Sequence, residues 1–429
     1  MRANLPTAEY KRVVIIGGGF GGLKLANTLK GSRYQVVLVD KNNYHTFQPL
    51  LYQVAIGGLE PDSIAYPLRK IFSRQKNFHF RVAEVREINS YKNLLETSVG
   101  IIYYDYLVIA TGSKTNFFGM DDIMQNGMAI KSVPEALDLR SLIIQNFERA
   151  LLLDDGPEKD ALINIVIVGG GPTGLETAGS LSELKRHVFP HDYPELNLEK
   201  MMIHIVESSD RLLSAMSVKS SAAAERYIRK MGVNVLLNTR VLNFDGDIVK
   251  MNNGNIISAK TLIWSAGVTG NVPGGIDAGS IYKGRIAVDN FNRVKEYENI
   301  FCIGDVALLS DSIYPEGYPM LAPIAIQQGK QLGKNLLRLV TGKPMQPFTY
   351  FDKGVMATVG RNKALIDAKG FHIHGFIAWV GWLFVHLMYL VGFRNRIIVF
   401  INWLWYYINY DSAMRLVIRP FNKKNKVND

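Results

Sequence analysis

Glycines at a fixed spacing are the residues of this sequence with the clearest chemical meaning. Gly17, Gly19 and Gly22 form G-x-G-x-x-G directly after the apolar run 13–16. The first glycine permits a tight turn, the second lets the backbone approach a pyrophosphate, and the third lets a following helix pack on the strand. The N-terminus of that helix presents free N–H groups to phosphate. Asp40 ends the next strand, where its carboxylate can accept hydrogen bonds from a ribose.

The same arrangement occurs a second time. Gly169, Gly171 and Gly174 follow the apolar run 165–168 with identical spacing. The next strand ends in Glu207, later than the usual distance of about 20 residues. An insertion in between, too polar and rich in proline to be one regular element, explains the delay. One fingerprint could be a glycine-rich turn of another α/β protein, but two in order predict two nucleotides that exchange electrons.

The elements that must position these glycines are strand–turn–helix units, so the sequence predicts an α/β fold with two Rossmann-like domains. Residues 104–113 read as a strand ending in Ala110, Thr111 and Gly112, where the chain crosses back near the first nucleotide. Residues 299–307 return to strand character and end in Gly304 and Asp305. The second domain is therefore predicted to be inserted in the first. The predicted bounds are 1–118 and 286–345 for the first domain, 119–285 for the second, and 346–429 for a C-terminal region.

Local signals predict further elements. Ser217 is a plausible helix N-cap and Gly232 the matching stop. Asp245-Gly246 and Asn253-Gly254 suggest hairpin turns between short apolar runs. Helices are also predicted near 134–153 and 325–340, and a strand over 261–268.

Composition limits the classes of partner. The chain has 429 residues, 48% of them hydrophobic, which suits two or three domains. The net charge of +11 fits nucleic acid, an anionic membrane or solubility alone. No long basic run or nucleic-acid motif occurs, so we expect no nucleic-acid partner and favour the membrane. Residues 1–12 lack an apolar core of signal-peptide length, and we expect the protein to stay where it is made.

Thiol and metal chemistry find little support in the sequence. Cys302 is the only cysteine, so an intrachain disulfide and any mechanism that needs a cysteine pair are excluded. It lies in an apolar run and is expected to be a small buried packing residue. Histidine and cysteine do not occur at metal-ligand spacing, and no metal site is predicted.

The C-terminal region contains two uncharged aromatic runs. Residues 371–393 carry no Lys, Arg, Asp or Glu and are long enough to span a membrane, since about 20 apolar residues suffice. Three histidines and two inner glycines argue against a span. The run 397–410 would reach only about 21 Å as a helix. Basic residues exceed acidic ones from Arg394 onward, which favours a monotopic anchor. A spanning helix and a buried homodimer face remain alternatives.

The motif order GGGFGG, ATG, GGGPTG and FCIGD resembles the two-dinucleotide-binding-domain flavoproteins. Within them, HTFQPLLYQVA, the insertion after the second fingerprint, APIAIQQG and the aromatic C-terminus resemble type II NADH:quinone oxidoreductases. This resemblance implies that FAD and NADH are the cofactors and that NADH oxidation reduces a membrane quinone by two electrons without proton pumping. It also implies a peripheral enzyme on the inner, cytoplasmic face of the cell membrane.

The resemblance assigns residues to each ligand. FAD would contact Gly17, Gly19, Phe20, Gly22, Asp40, Lys41, Gln48, Pro49, Val85, Ala110, Thr111, Gly112, Gly304, Asp305 and Ala322. NADH would contact Gly169, Gly171, Thr173, Gly174, Glu176, Glu207, Ala266 and Gly267. The quinone would lie near Gln48, Gln53, Gln327 and Gln328. Glu176 and Gln327 would be the catalytic side chains.

Physical arguments bear on three positions, which are Glu207, Glu176 and Pro323. A carboxylate at Glu207 repels a 2′-phosphate, so NADH is preferred over NADPH. Glu176 would lie in the first turn of the second helix, near the nicotinamide–flavin contact, or alternatively be a surface residue that complements the helix dipole. Pro323 replaces the first glutamine of the family's A-Q-x-A-x-Q motif, so a hydrogen bond at that position cannot be transferred.

Other flavoprotein classes remain for comparison. Disulfide reductases and sulfide:quinone oxidoreductases act through several cysteines, which this chain lacks. A reductase of ferredoxin or dyes would lack the apolar C-terminus. A non-catalytic flavoprotein that senses NADH is the alternative outside enzymes.

Overall fold

The computed structural model describes residues 3–410, 415–417 and 420–422. Their contacts divide the chain into two units, and both are discontinuous in sequence. Unit 1 is drawn from Met1–Thr46, Ala65–Lys114 and Val268–Phe351, and unit 2 from Phe47–Ile64, Thr115–Gly267 and Asp352–Asp429.

Unit 1 is built on a five-stranded parallel sheet. Its strands in spatial order are Ile300–Cys302, Tyr106–Ile109, Arg12–Ile16, Gln35–Asp40 and Phe78–Val82. Residues 13–16 of the central strand are β-branched and buried, as expected for a parallel strand covered on both faces. The first fingerprint helix, Phe20–Thr28, packs closely on the helix Ala322–Val340, because a Cβ at Gly329 would overlap the carbonyl oxygen of Gly21.

Smaller elements complete unit 1. A three-stranded antiparallel sheet consists of Val85–Asn89, Leu94–Thr97 and Gly100–Tyr103. The other elements are the strands Tyr44–Thr46, Ala65–Pro67, Val268–Gly270, Ile281–Tyr282, Arg285–Ala287 and Ala307–Leu308, the helix Leu68–Ile71, and the 3₁₀ turns Ala278–Ser280 and Gly304–Val306. The strand Ser113–Thr115 ends at the boundary between the units.

Unit 2 repeats the same parallel topology. Its sheet has the order Met128–Ala129, Thr261–Trp264, Ile165–Val168, Ile203–Val206 and Asn234–Leu236. The second fingerprint helix is Pro172–His187. An antiparallel sheet of Val241–Phe244, Ile248–Met251 and Ile256–Ser258 turns at the two predicted Asp-Gly and Asn-Gly pairs. The fold is therefore the α/β dinucleotide-binding fold that the sequence predicts.

Helix caps in unit 2 follow the sequence signals. Ser132 and Glu135 form a capping box at the start of the helix Val133–Ala150. The Ser217 side chain accepts a hydrogen bond from the Ser220 N–H at the start of Val218–Lys230, which confirms the predicted N-cap. The short helices of the unit are Leu51–Ala55, Pro61–Ile64, Asp121–Asn126, Pro157–Ile163 and Phe189–Asp192, with a 3₁₀ turn at Gln48–Leu50.

The C-terminal region differs from the single long helix that one alternative required. Residues Phe371–Gly375 are a strand that pairs with Ala364–Ala368, which in turn pairs with Val355–Thr358. The helix that follows is only Phe376–Tyr389, and a second helix is Phe393–Asn409. Among the described residues, no helix combines the length and apolar character needed to cross a membrane. The alternative of one spanning helix over 371–393 is therefore not supported, because the first five residues of the run form a strand.

Candidate functional site

The first fingerprint (Gly17, Gly19 and Gly22) has no room for a side chain at its first and third glycines and is open at its second. Gly17 has φ of +105°, and a Cβ there would overlap the carbonyl oxygen of Ala110. A Cβ at Gly22 would overlap the carbonyl oxygen of Gly17. Gly19, the N-cap of the fingerprint helix, is different, since a Cβ there would meet no atom within 4 Å. The backbone is thus tight where strand and helix meet and accessible at the helix N-terminus, which fits a pyrophosphate.

Asp40 lies beside this loop, at the end of its strand. Its Oδ2 accepts a hydrogen bond from the Gly18 N–H at 2.6 Å, and its Oδ1 accepts one from the Asn42 N–H at 2.7 Å. Burial raises the pKa of the Asp40 carboxyl, although both hydrogen bonds favour the ionised form. The carboxylate is held at the loop by two backbone donors, and its remaining lone pairs suit a ribose hydroxyl.

Asp305 and the preceding glycine form a second edge of unit 1. The Ser113 hydroxyl donates to Asp305 Oδ2 at 2.5 Å. Gly304 has φ of +75°, and its N–H donates to Oε1 of the buried Gln328 at 2.7 Å. Gln328 therefore fixes the Gly304–Val306 turn through its side chain, which is a different role from the quinone contact predicted for it.

Arg285 is a residue of this edge that the sequence did not identify. It is buried, and it donates to the carbonyl oxygens of Asp305 and Tyr318, each at 2.9 Å, and to that of Ala307. Three bonds from one rigid guanidinium fix the backbone at Asp305 and at Ala307 and Tyr318 after it. The only available signal was an arginine in an apolar strand, which does not reveal its partners.

Gln327 makes a paired contact with the backbone. Its Nε2 donates to the Phe351 carbonyl oxygen at 2.9 Å, and its Oε1 accepts from the Phe351 N–H at 3.0 Å. Both ends of the amide are thus engaged within unit 1. A quinone contact at this residue would have to exchange one of these bonds.

The second fingerprint (Gly169, Gly171 and Gly174) reproduces the first. Gly169 also has φ of +105°, and a Cβ there would lie 2.9 Å from the Ala266 nitrogen. A Cβ at Gly174 would overlap the Gly169 carbonyl oxygen, whereas one at Gly171 would meet nothing within 4 Å. Ala266 and Gly267, predicted to contact NADH, lie beyond the end of the neighbouring strand Thr261–Trp264, and Ala266 packs against this loop.

Glu207 corresponds to Asp40. Its Oε2 accepts from the Gly170 N–H at 2.6 Å, and its Oε1 accepts from the Ser209 N–H at 2.7 Å. Burial opposes ionisation, but these hydrogen bonds outweigh it and the pKa of the Glu207 carboxyl is lowered. Glu207 is therefore a carboxylate at neutral pH, as charge discrimination against a 2′-phosphate requires.

Glu176 lies deeper than predicted. The second fingerprint helix begins at Pro172, so Glu176 is its fifth residue and not part of the first turn. It is 7% exposed, which rules out the alternative of a surface residue complementing the dipole. Its Oε1 accepts from the Thr358 N–H at 3.3 Å. Burial raises the pKa of Glu176 to about 8, so the carboxyl keeps its proton at neutral pH.

Gln53, in the helix Leu51–Ala55, contacts the second C-terminal helix within unit 2. Gln53 Nε2 donates to the hydroxyl oxygen of the buried Tyr52 at 2.9 Å. The Trp403 Nε1 donates to Gln53 Oε1 at 2.8 Å. Gln48 and Pro49 open the 3₁₀ turn before this helix. Sequence reasoning identified the glutamines but missed Trp403, which is 350 residues away.

The remaining predicted residues lie on the same elements. Phe20 opens the first fingerprint helix, with its ring edge-on to His45 at 5.2 Å, and Thr173 is the second residue of the other. The Thr111 hydroxyl donates to the Asn271 carbonyl at 2.6 Å. The other placements are Lys41 after its strand, Val85 at the start of Val85–Asn89, Ala110 and Gly112 after Tyr106–Ile109, and Ala322 at the start of its helix.

Unit 1 thus brings together the first fingerprint, Asp40, the 110–112 segment and Asp305. Unit 2 brings together the second fingerprint, Glu207 and Glu176, and separately Gln53 with the C-terminal helices. Both fingerprints fit a dinucleotide in the same way. The space beside Gly19 and beside Gly171 is free of protein atoms, so a phosphate could approach the backbone there, and a side chain at either position would occupy that space.

Comparison with known proteins agrees with this construction. Residues 11–329 match the family model described as pyridine nucleotide-disulphide oxidoreductase. The type II NADH:quinone oxidoreductase Ndh of Mycobacterium tuberculosis is 34% identical, with 93% of this chain and 89% of that protein covered. The type II NADH:quinone oxidoreductase of Haemophilus influenzae is 30% identical over 83% of this chain and 86% of its own.

A solved structure shows the same fold. The structure of NDH2 from Plasmodium falciparum in complex with NADH has a TM-score of 0.87 and covers 96% of this chain and 100% of its own. Its sequence identity is 19%, so it supports the fold and no residue assignment.

Proposed function

This chain belongs to the type II NADH:quinone oxidoreductases, within the pyridine nucleotide-disulphide oxidoreductases, and we propose that it oxidises NADH and reduces a quinone by two electrons. FAD and NADH are its cofactors, and FAD when bound supplies the hydride and electron chemistry. The observation that carries this function is the pair of matched fingerprints, one in each unit, each with its own acidic residue.

The first fingerprint, with Asp40 and Asp305, is proposed to bind FAD. Loop N–H groups and the N-terminus of Phe20–Thr28 provide the donors that a pyrophosphate needs. Asp40 is assigned to the ribose of the adenosine and Asp305 to the ribityl hydroxyls. Arg285 bonds the Asp305 carbonyl oxygen and Gln328 bonds the neighbouring Gly304 N–H, so both keep this turn in place. These residues bind and orient, and no side-chain nucleophile is required.

The second fingerprint and Glu207 are proposed to bind NADH. Gly170 and Ser209 donate to Glu207 and keep it ionised, so it accepts from ribose hydroxyls and repels a 2′-phosphate. Glu176 lies two residues beyond the third glycine, and burial raises its pKa to about 8, so it holds a proton at neutral pH. We assign the catalytic proton-handling role in unit 2 to Glu176.

Gln48 and Gln53, both in unit 2, are proposed to contact the quinone. The hydrogen-bonded series from Trp403 to Gln53 to Tyr52 supports Gln53 as the best ordered of these amides. Since both ends of the Gln327 amide already bond to Phe351, a weaker contribution is expected from Gln327.

A steady-state assay tests the function directly. Purified protein should show a flavin absorbance spectrum that bleaches on addition of NADH under argon and recovers on addition of a quinone. A protein that binds NADH without bleaching, or bleaches without being reoxidised by quinone, would remove the proposed activity and favour a sensor or a reductase of another acceptor.

The C-terminal helices are proposed to attach the enzyme to the membrane surface. One face of each helix packs on unit 2: Trp382 and Val399 are fully buried, and Asn395 Nδ2 donates to the carbonyl oxygens of Asp62 and Ser63. The opposite faces are apolar and exposed. The exposed side chains are Phe376, Ile377, Val380, Phe384, Met388, Phe393, Ile397, Phe400, Ile401, Leu404, Trp405 and Ile408.

Helix length and charge support this placement. Helices of 14 and 17 residues reach about 21 and 26 Å, less than the roughly 30 Å of a bilayer core, so they suit the interface. Exposed basic residues such as Arg394 favour anionic lipid. The inner face of the cell membrane is the proposed location. A homodimer through the same surface is the competing use of these side chains.

Charged substitutions on the exposed helix faces distinguish membrane attachment from dimer formation. The double substitution Phe384→Glu and Ile401→Glu should release the enzyme from anionic vesicles and slow reduction of a long-tailed quinone, while flavin bleaching by NADH continues. Val218→Glu, at an equally exposed apolar position on another helix of unit 2, is the control and should stay bound. Vesicle binding that survives the double substitution would contradict the anchor, and a change from dimer to monomer in its place would favour the dimer face.

A further inference from the structure

Unit 2 contains a small cavity that neither fingerprint uses. Its volume is about 40 Å³, and it lies among the helix Val133–Ala150, the second fingerprint helix and the segment that follows that helix. Apolar side chains such as Ile143, Leu181 and Phe189 form most of its wall. Arg140 also lines it, which is unusual for an apolar cavity.

The guanidinium of Arg140 is buried without a counter-charge among the described residues. Its side chain is 5% exposed, and neither Nε nor Nη1 has an acceptor in the part of the chain that the structure describes. Burial lowers the pKa of the Arg140 guanidinium, yet arginine retains its proton in proteins. A buried cation that cannot neutralise itself is costly unless it is paired and hydrogen-bonded.

The carboxylate at the cavity wall is already engaged. Asp192 lines the cavity, but its Oδ2 lies 2.8 Å from Nε of Arg415, with which it forms an ion pair. The two wall cations therefore differ, since Arg415 has a carboxylate partner and Arg140 has none among the described residues. The free donors of Arg140 are the polar feature of the cavity that lacks a partner.

We propose that this cavity binds a short aliphatic monocarboxylate such as acetate, with its carboxylate on Arg140. A planar guanidinium fork matches a carboxylate and can donate two parallel hydrogen bonds to it. The volume limits the ligand to a few heavy atoms, because a water occupies about 30 Å³ of liquid. The apolar wall favours a carboxylate that carries a methyl group over a strongly hydrated inorganic anion. The site lies outside both fingerprints and takes no part in the reaction proposed above.

Titration of the full-length, FAD-loaded enzyme with acetate at constant ionic strength tests the site. Acetate should raise the melting temperature of wild type, whereas octanoate, whose chain exceeds the cavity, and acetamide, the uncharged match, should have no comparable effect. In Arg140→Met the affinity for acetate should fall at least about tenfold, the loss expected for a charged hydrogen bond. Tyr193→Phe changes another polar wall residue and should leave binding intact. NADH–quinone activity without acetate should be unchanged in both variants.

The ligand-free variant gives a second, independent reading. If Arg140 is an unpaired buried cation, Arg140→Met should melt at a higher temperature than wild type without ligand, whereas breaking a structural ion pair would lower it. No stabilisation of wild type by acetate overturns the proposal, whatever the melting temperature of Arg140→Met. Equal responses of wild type to acetate and acetamide would show that the carboxylate is not recognised and likewise reject the site.

Discussion

The two fingerprint units have the same backbone geometry and different chemistry beside it. Gly17 and Gly169 share φ of +105°, and the second glycine of each loop is open while the third is closed. The glycine between the first two donates at 2.6 Å to an acidic residue in both units, Asp40 in one and Glu207 in the other. The parallel sheets have the same order around their central strands. The shared glycine spacing therefore produces the same loop conformation in both units.

A chemical difference lies two residues after the third glycine. Unit 1 has the half-buried Lys24 at this point, and unit 2 has the buried Glu176. The first fingerprint helix is covered by the helix Ala322–Val340, and the second by the strand Val355–Thr358 and the turn after it. Both covering segments come from late in the sequence. The comparison teaches that the glycines determine where a nucleotide binds, whereas the covering segment determines the protonation state beside it.

Exchange of the open glycines for valine is the most severe test of the comparison. Neither Cβ would clash with protein, so Gly19→Val and Gly171→Val should fold and obstruct only the ligand. Gly19→Val should purify with less than about a tenth of the wild-type flavin, and Gly171→Val should keep its flavin but raise KM for NADH at least about tenfold, as expected for lost pyrophosphate contacts. Flavin content and NADH titration are the measurements. Flavin loss in Gly171→Val with retention in Gly19→Val would reverse the two assignments.

Substitution of the two acidic residues should have a smaller effect, on the preference for NADH over NADPH. Wild type should prefer NADH over NADPH in kcat/KM, and Glu207→Gln should narrow that preference by about tenfold, or ~1.4 kcal/mol, because the repulsive charge is removed while an amide oxygen still accepts from Gly170. Asp40→Asn is the matched control and should leave the ratio unchanged. Equal use of both nucleotides by wild type, or a ratio that responds to Asp40→Asn, would contradict the assignment.

The protonation difference predicts a smaller effect, on stability alone. With its pKa raised to about 8, folded Glu176 retains a proton that the unfolded chain releases near its ordinary pKa of 4.5. The folded state binds more protons in this window, so its stability falls as pH rises from about 4.5 to about 8. Glu176→Gln lacks this titration, and its stability relative to wild type should increase with pH.

Melting temperatures at about pH 5.5 and about pH 8, with FAD bound, measure this difference. Lys24→Met substitutes the matching position of the other fingerprint helix and should shift stability equally at both values. Parallel pH profiles for wild type and Glu176→Gln would show that the carboxyl does not titrate in this range.

How far the sequence predicts this molecule depends on the range of the interaction. Glycine spacing, Ser217 as an N-cap and the Asp-Gly and Asn-Gly turns are local backbone requirements, so they could be identified from a few adjacent residues. The resemblance supplied the family, which the comparisons confirm. The assignment of individual residues to ligands remains a prediction.

The errors have a common physical origin. A surface position remained an alternative for Glu176 because its partner Thr358 is 182 residues away and leaves no local signal. A spanning helix remained an alternative for the run 371–393, but its first five residues pair with Ala364–Ala368. Gly375, with φ of +81°, separates strand from helix. Lack of charge shows that a segment is apolar, and the pairing partner decides its conformation.

Cys302 has a practical consequence for experiments on this enzyme. It is the only cysteine of the chain, it is fully buried in the first sheet, and burial raises the pKa of its thiol well above the ordinary value. The native protein thus offers thiol reagents no reactive group at its surface. A single cysteine introduced on Phe393–Asn409 would be the one site to accept a spin label or fluorophore. Depth in a bilayer, and distance to a label on a second copy, could then be measured without first removing any native residue.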